Sequence, residues 1–390
     1  MSVLKQFFTS PEPWNVAEYR RRAQKILPRP VFDFVDGGAD DETALRRNLE
    51  AFKRITFRPR VAKGFSAYDT SVTVLGEQLD IPVLLAPTGL PGLVHKDAEI
   101  AAVKAAEACG TRIVLSTGSS YSLEEVAAAA NHHHWFQLYP WRDEEFVSAL
   151  IARAGSAGYS TLCITLDVPV VGHRERDTKN GFTIPPRISI VNAANFARHP
   201  RWLLSTLRAR KFTMRNFLDG ELTSELKRPM STLQRNLGLI NPLFSWDDVA
   251  RIRDEWPGHL VVKGIMHPDD AVQAIGVGVD ALVVSNHGGR QLDGAAATIE
   301  ALPMVVEAVD GRVQILIDGG VRRGADVVKA IALGADACLI GRPWLYGLAC
   351  GGTEGVTSVL GGLRADIERT LALLGRQSLR DVDRTCIDLR

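Results

Sequence analysis

One layout returns along the chain and constrains its fold more than any single motif. "AAVKAAEACGTRIVLSTGSS", "SALIARAGSAGYSTLCITLD", "DAVQAIGVGVDALVVSNHGG" and "DVVKAIALGADACLIGRP" each run from an Ala-rich helix, through a glycine, into a short apolar β-prone stretch. Glycine just past the last turn is the usual helix stop. The apolar stretches are continuous rather than alternating, as expected of strands buried on both faces. Such strands begin at Ile81, Ile113, Trp135, Thr161, Leu260, Ala281, Gln314 and Ala337. Eight strands, most of them separated by helices, predict an α/β fold of the (β/α)8 TIM-barrel type. An open doubly wound sheet is the competing arrangement. The lone G-x-G of "AIGVGVDA" precedes its strand, whereas a dinucleotide fingerprint follows one, so these glycines fit a helix stop.

The chain of 390 residues is read as a single barrel domain with two additions. Residues 1–80 predict an N-terminal helical cap and a β-hairpin around "SVTVLGEQLDIPV". Residues 168–245 form a long insertion after strand four, far beyond an ordinary βα loop. Both are expected to cover or flank the barrel mouth. A net charge of +1 gives no global field to attract nucleic acid. Five cysteines without a C-x-x-C pair point away from a disulfide framework or zinc site and favour a reducing compartment. The His132-His133-His134 run lies ahead of strand three, at the face opposite the mouth, and reads as a polar loop; no metal site is expected. No apolar run approaches the ~20 residues of a membrane span. The first residues lack a signal-like apolar region, so a cytoplasmic location is expected.

Barrel active sites lie at the C-terminal ends of the strands. Those ends read "APTGL", "STGSS", "QLY", "TLD", Lys263-Gly264, "SNHGGR", "DGGVRRG" and "GRP". All are polar or glycine-rich although the strand bodies are apolar. The last two place glycine and arginine after strands seven and eight, where barrels commonly bind phosphate. Bare backbone N–H groups approach the oxygens there while a guanidinium neutralises charge.

Taken together, "SNHGGRQLD", "APTGL", "QLY", "TLDVP" followed by Arg174, "KGI" and "DGGVRRG…GRP" resemble the FMN-dependent α-hydroxy-acid oxidase and dehydrogenase family. The resemblance runs nearly end to end, and "RERD", "HPRW" and "PTGL" lean towards its mandelate and lactate dehydrogenase branch. It implies oxidation of an (S)-2-hydroxy acid to the 2-oxo acid, coupled to reduction of FMN. His287 then matches the general base, and Asp167 the carboxylate that orients it. Arg174 and Arg290 match the pair that holds the substrate carboxylate, and Tyr139 a tyrosine that hydrogen-bonds the substrate. Lys263 matches the lysine beside the flavin N1–C2 edge. Ser116, Gln137, Thr165 and the backbone of Ala86, Pro87 and Thr88 match flavin-ring contacts, with Ser285 nearby. Asp318 matches the ribityl partner, and Gly320, Arg322, Gly341 and Arg342 the phosphate site. The sequence departs from the family at Phe34, where many members carry a tyrosine hydroxyl for the substrate carboxylate. Loss of that charged hydrogen bond costs ~1.5–3 kcal/mol and makes the pocket more apolar, which suits an aromatic or longer acid over glycolate.

The acceptor stays open between a quinone or electron carrier and O2. Gly89 stands where other members have alanine, as in the membrane dehydrogenases. From Arg187 to Leu218 there are seven Lys or Arg and no Asp or Glu, interleaved with Trp202, Leu203, Leu204, Leu207 and Phe212. Such a basic amphipathic segment fits either a peripheral contact with the inner face of the cytoplasmic membrane or a solvated lid. The family also implies a homotetramer. Rival readings are another FMN barrel, such as a type 2 isopentenyl diphosphate isomerase, or a flavin-binding protein without turnover. Neither needs His287, Arg290 and Arg174 as a set.

Overall fold

The computed structural model describes residues 13–181, 190–209, 213–217 and 240–389. Its centre is a ring of eight parallel strands: β1 (Val83–Leu85), β2 (Val114–Ser116), β3 (Trp135–Leu138) and β4 (Thr161–Thr165), then β5 (His259–Ile265), β6 (Ala281–Val284), β7 (Gln314–Ile317) and β8 (Ala337–Ile340). Each starts within two residues of its expected position. The strands pair in the order β1-β8-β7-β6-β5-β4-β3-β2, and a parallel bridge between Leu85 and Ile113 closes the ring. Alternate side chains serve two cores. Leu84, Val114, Trp135, Val261, Val283, Leu316 and Leu339 fill one cluster, while Val83, Leu85, Phe136, Leu162 and Ile164 belong to the other, which the helices share. With both faces buried, no strand needs a polar alternation, which is why the apolar runs are unbroken.

The expected hairpin forms from Val72–Val74 and Glu77–Leu79. Its two-residue turn, Leu75-Gly76, has both φ angles positive (49° and 78°), the geometry that matches strand twist. Val74 and Leu79 join the same cluster as Trp135 and Leu84, so the hairpin plugs the end of the barrel opposite the mouth. Gln314 at the start of β7 fixes it, accepting from Leu75 N–H at 2.6 Å and donating to Thr73 O at 3.0 Å. The cap consists of helices Val16–Ile26, Arg29–Asp36 and Thr43–Arg54. Strand Ile55–Phe57 pairs antiparallel with Ile387–Leu389, tying the cap to the C-terminal segment.

Asp36, at the end of the second cap helix, is the lock between cap and barrel. Arg20 reaches its two oxygens at 2.6 and 2.7 Å, Tyr346 Oη donates at 2.6 Å and Arg176 at 3.1 Å. Burial pushes this carboxyl up, but Arg20 and Tyr346 overcome it and hold it at about 2. The insertion after β4 is described in pieces. Helix Pro200–Ala209 turns Trp202 inward, where it packs on Phe196 and donates to Leu93 O at 2.8 Å. Leu203 is half-buried and Leu204 exposed; the Leu207 and Arg208 side chains and residues Arg187, Arg210, Lys211 and Phe212 fall outside the described residues. Asn216 anchors a second piece, accepting from Leu123 N–H and donating to Thr117 O and Ser119 Oγ.

The barrel seam depends on a neutral imidazole. His134 Nδ1 accepts the N–H of Ile113 at 3.2 Å, and its Nε2 lies 3.4 Å from Glu107. Burial pushes this histidine from its ordinary 6.5 down to about 4, against the pull of Glu107. The unfolded chain takes up the proton near 6.5, so stability present above that pH is lost as pH falls towards 4. We expect the unfolding free energy in urea to drop by about 2 kcal/mol from this residue between pH 7.5 and 5. His134→Asn, which keeps the acceptor but cannot titrate, should remove that part of the acid slope; an unchanged slope would show that the histidine is not its source.

Candidate active site

The strand ends open into one cavity of about 1160 Å³, measured to its open mouth. Of the residues matched to the base, substrate and flavin sites, all line it except Asp167, Gln137 and Ser285, which stand directly behind those that do.

His287 follows β6 in the left-handed region, with φ 56°, and Gly288 and Gly289 continue the turn at 65° and 74°. Its Nδ1 meets Asp167 Oδ1 at 3.0 Å. A carboxylate there fixes the proton on Nδ1 and leaves Nε2 as the free base of the neutral ring. Asp167 owes its position to a bulge in β5. The pairing with β6 shifts between Lys263 and Ile265, and Gly264 at φ 110° would place a β-carbon 2.7 Å from Asp167 Cβ. Only glycine fits that approach. Burial raises the Asp167 carboxyl, but His287 and Lys263 more than offset it and keep it below its ordinary value.

Lys263 is buried at the end of β5, with Nζ 2.9 Å from Asp318 Oδ2 and donating to Ser285 Oγ at 2.7 Å. Burial works against its charge, yet Asp318 and Asp167 raise its pKa, so the ammonium persists. Ser285 Oγ also accepts the His287 N–H at 3.1 Å, so one hydroxyl joins the lysine to the His287 turn.

Across the cavity, Arg174 and Arg290 both stack on Phe34, with guanidinium carbons 5.4 and 5.6 Å from the ring centre. Each is held from behind. Arg174 Nε pairs with Asp177 at 2.8 Å, and Arg290 Nη1 donates to Gly37 O at 2.8 Å. Arg290 faces Arg174 and Arg342; burial and those two cations push it down to about 9. It remains charged at neutral pH and lacks a carboxylate among its described partners, which is the setting for an anionic ligand. Tyr139 lies edge-on to Trp141 at 6.1 Å, and burial, with Asp167 adding, pushes its phenol up to about 12. It therefore presents a protonated hydroxyl.

The remaining wall fits a flavin nucleotide. Thr88 Oγ1, Gln137 Nε2, Thr165 Oγ1 and Asp318 Oδ1 are buried and have no hydrogen-bond partner within the described protein. Such groups cost about 1–3 kcal/mol each unless a ligand satisfies them. Gln137 Oε1 takes a bond from Ser116 Oγ at 3.2 Å, which turns its amide nitrogen away from Ser116. Gly319 and Gly320 have φ 87° and 91°, and Gly341 starts the helix Arg342–Leu374, so bare backbone N–H groups meet beside Arg322. These features suit a ring edge, a polyol and a phosphate. Arg342 departs from its expected role in one respect. Its guanidinium donates to the carbonyls of Asp36, Gly37 and Gly288 at 2.8–3.0 Å, bracing cap against catalytic turn.

Sequence reading missed the supporting residues. Asp177 pairs with Arg174 inside the quoted "RERD", whereas Asp36, two residues past Phe34, meets Arg176 and Tyr346 across 140 and 310 positions. Gln291, whose amide donates to the carbonyls of Asp167 and Val170 at 2.8 Å, and the Asn48–Asn286 pair gave no local signal.

The described residues contain no group of three metal-ligating side chains and no helix long and apolar enough to cross a membrane. The family described as FMN-dependent dehydrogenase matches residues 23–389. An L-lactate oxidase of Nostoc sp. is 41% identical over 97% of this chain and 98% of its own length. An L-lactate dehydrogenase of Alcaligenes faecalis is 40% identical over 94% and 96%. Among solved structures, the monotopic membrane protein (S)-mandelate dehydrogenase superposes with a TM-score of 0.91 at 38% identity, covering 97% of this chain and 100% of its own. The fold and site define a flavin-dependent oxidoreductase barrel. The chain belongs to the FMN-dependent dehydrogenase family, and FMN is its cofactor.

Gly320 offers a direct check of the nucleotide seat. A β-carbon there would lie 2.2 Å from Asn48 O, in a backbone region that other residues rarely adopt. Gly320→Ala should destabilise the protein by about 2–4 kcal/mol and strip FMN during purification. Full flavin occupancy, read from the ratio of visible to ultraviolet absorbance, would contradict this placement.

Proposed function

We propose that the protein oxidises an (S)-2-hydroxy acid with an apolar side chain. One observation carries this reading: the His287–Asp167 pair faces the two Phe34-stacked arginines across a single cavity. The substrate carboxylate bridges Arg290 and Arg174, and the planar forks orient it. The Tyr139 hydroxyl holds the substrate from the side. His287 Nε2 takes a proton from the hydroxyl or the α-carbon, and Asp167 stabilises the imidazolium that results. Lys263 supplies a fixed positive charge where negative charge collects. FMN, when bound, supplies the acceptor for the two electrons that leave the substrate. Gly89, Met214 and Phe34 border the cavity without a charged group, which favours a lactate-like or mandelate-like side chain over glycolate.

The electrons pass on to a quinone or protein carrier in this reading; the lactate oxidase relative supports O2 as the second. Anaerobic mixing with (S)-mandelate, L-lactate and glycolate should bleach the flavin with one of the first two, and slow return of colour in air marks a dehydrogenase. No bleaching by any 2-hydroxy acid would sink the reaction. His287→Gln should stay yellow and reduce its flavin about 10²–10⁴-fold more slowly. Rapid, complete reduction in that variant would remove His287 from the role of base.

We place the protein at the cytoplasmic face of the membrane as a peripheral homotetramer. Support comes from the membrane-associated relative and from helix Pro200–Ala209, which exposes Leu204 beside Arg201. Vesicles rich in anionic lipid should sediment the protein at low salt, and Leu204→Glu should weaken this severalfold. No sedimentation with either vesicle, or no effect of the substitution, would argue for a solvated helix instead.

A further inference from the structure

Two turns carry the chemistry of this site, and one cap helix touches both. His287 lies in the left-handed region at φ 56°. For a residue with a β-carbon this costs about 1–2 kcal/mol and persists only where the surroundings over-determine it. The surroundings here are the helix Thr43–Arg54. Gly289 lies so near it that a β-carbon would sit 2.5 Å from Leu45 N, and one on Gly320 would sit 2.2 Å from Asn48 O.

Between those two contacts stands a buried amide pair. Asn48 Nδ2 donates to Asn286 Oδ1 and Asn286 Nδ2 donates to Asn48 Oδ1, both at 2.9 Å. Each oxygen also takes a backbone donor. Asn286 Oδ1 accepts Gly289 N–H at 3.1 Å, and Asn48 Oδ1 accepts Thr298 N–H at 3.2 Å. Thr298 Oγ1 in turn donates to Asp318 O at 2.5 Å and Gly319 O at 3.2 Å. A continuous network thus runs from the catalytic turn through Asn286, Asn48 and Thr298 to the nucleotide turn.

We propose that Asn48 is a positioning residue that sets the His287 turn and the Asp318–Gly320 turn against one another. One amide pair then places both the base and the flavin seat. This rests on His287 as base only in its turnover arm; the flavin-binding arm is independent of it.

The test compares Asn48→Ala, Asn286→Ala and the double variant with wild type. FMN affinity is read by fluorescence quenching on reconstituting apoprotein, and kcat and KM are then read at saturating FMN. Each single variant should weaken FMN binding and lower kcat by about tenfold, with kcat falling more than KM rises. The double variant should be no worse than the weaker single, because the pair acts as a unit. FMN affinity and kcat within about twofold of wild type, with only the melting temperature lowered, would overturn the proposal, as would additive effects. Asn48→Asp is nearly isosteric; it loses the donor to Asn286 Oδ1 and sets a carboxylate oxygen against that acceptor. Should the alanine variants fail to fold, it carries the same expectation, and unchanged affinity and kcat in it overturn the proposal. If wild type oxidises no 2-hydroxy acid, the reaction is wrong, while FMN titration of the variants still decides the role of Asn48.

Discussion

The close approach between the cap helix Thr43–Arg54 and the glycines at the ends of β6 and β7 is the constraint on which the site depends. Leu45 lies against Gly289, while Asn48 and Phe52 lie against Gly320, at separations that exclude any β-carbon. The barrel alone would leave both turns as exposed loops. Pressed against a rigid helix, they adopt one conformation, and the left-handed backbone of His287 is paid for by buried hydrogen bonds around it. Asp36, held by Arg20, Tyr346 and Arg176, locks the same cap to the last helix and to the start of the insertion. The residues that hold the His287 turn and those that fold the N-terminal region therefore overlap.

Charge is distributed on the same plan. Lys263 lies with Asp318 and Arg174 with Asp177, so each of these cations has a carboxylate within 3.0 Å, while Asp167 accepts from the His287 ring. Arg290 has carbonyl and π-face partners instead, and the cations Arg174 and Arg342 outweigh Asp177 in their effect on it. An anion arriving there would relieve an imbalance the fold has built in. Phe34 takes part through its ring face, a role that needs no hydroxyl.

Much of the fold was legible in the chain. All eight strands, the hairpin and the long insertion follow from local patterning, because a strand buried on both faces and a helix ended by glycine leave marks within twenty residues of themselves. The site was legible to the extent that barrels gather strand ends. His287, Lys263, Asp318 and the two arginines lie at or just beyond such ends and came together as expected. The supporting groups were not, since Asn48 meets Asn286 across 238 positions and Gly37 meets Arg290 across 253. The side that the aromatic of the basic segment takes was left open for a similar reason. An amphipathic pattern marks two faces of a helix, but the contact of Trp202 with Phe196 and Leu93 decides which one turns inward.

By itself, then, the sequence determined the kind of barrel, the face that bears chemistry and the residue types available there, because these depend on periodicity and on what ends each strand. Tertiary structure decided which tautomer His287 presents, which arginine lacks a counter-charge, and how Arg342 divides its bonds between cap and catalytic turn. Those outcomes depend on distances of about 3 Å between segments far apart in the chain, and electrostatic and hydrogen-bond energies change steeply over that range. No local pattern encodes such distances; packing the cap onto the barrel sets them.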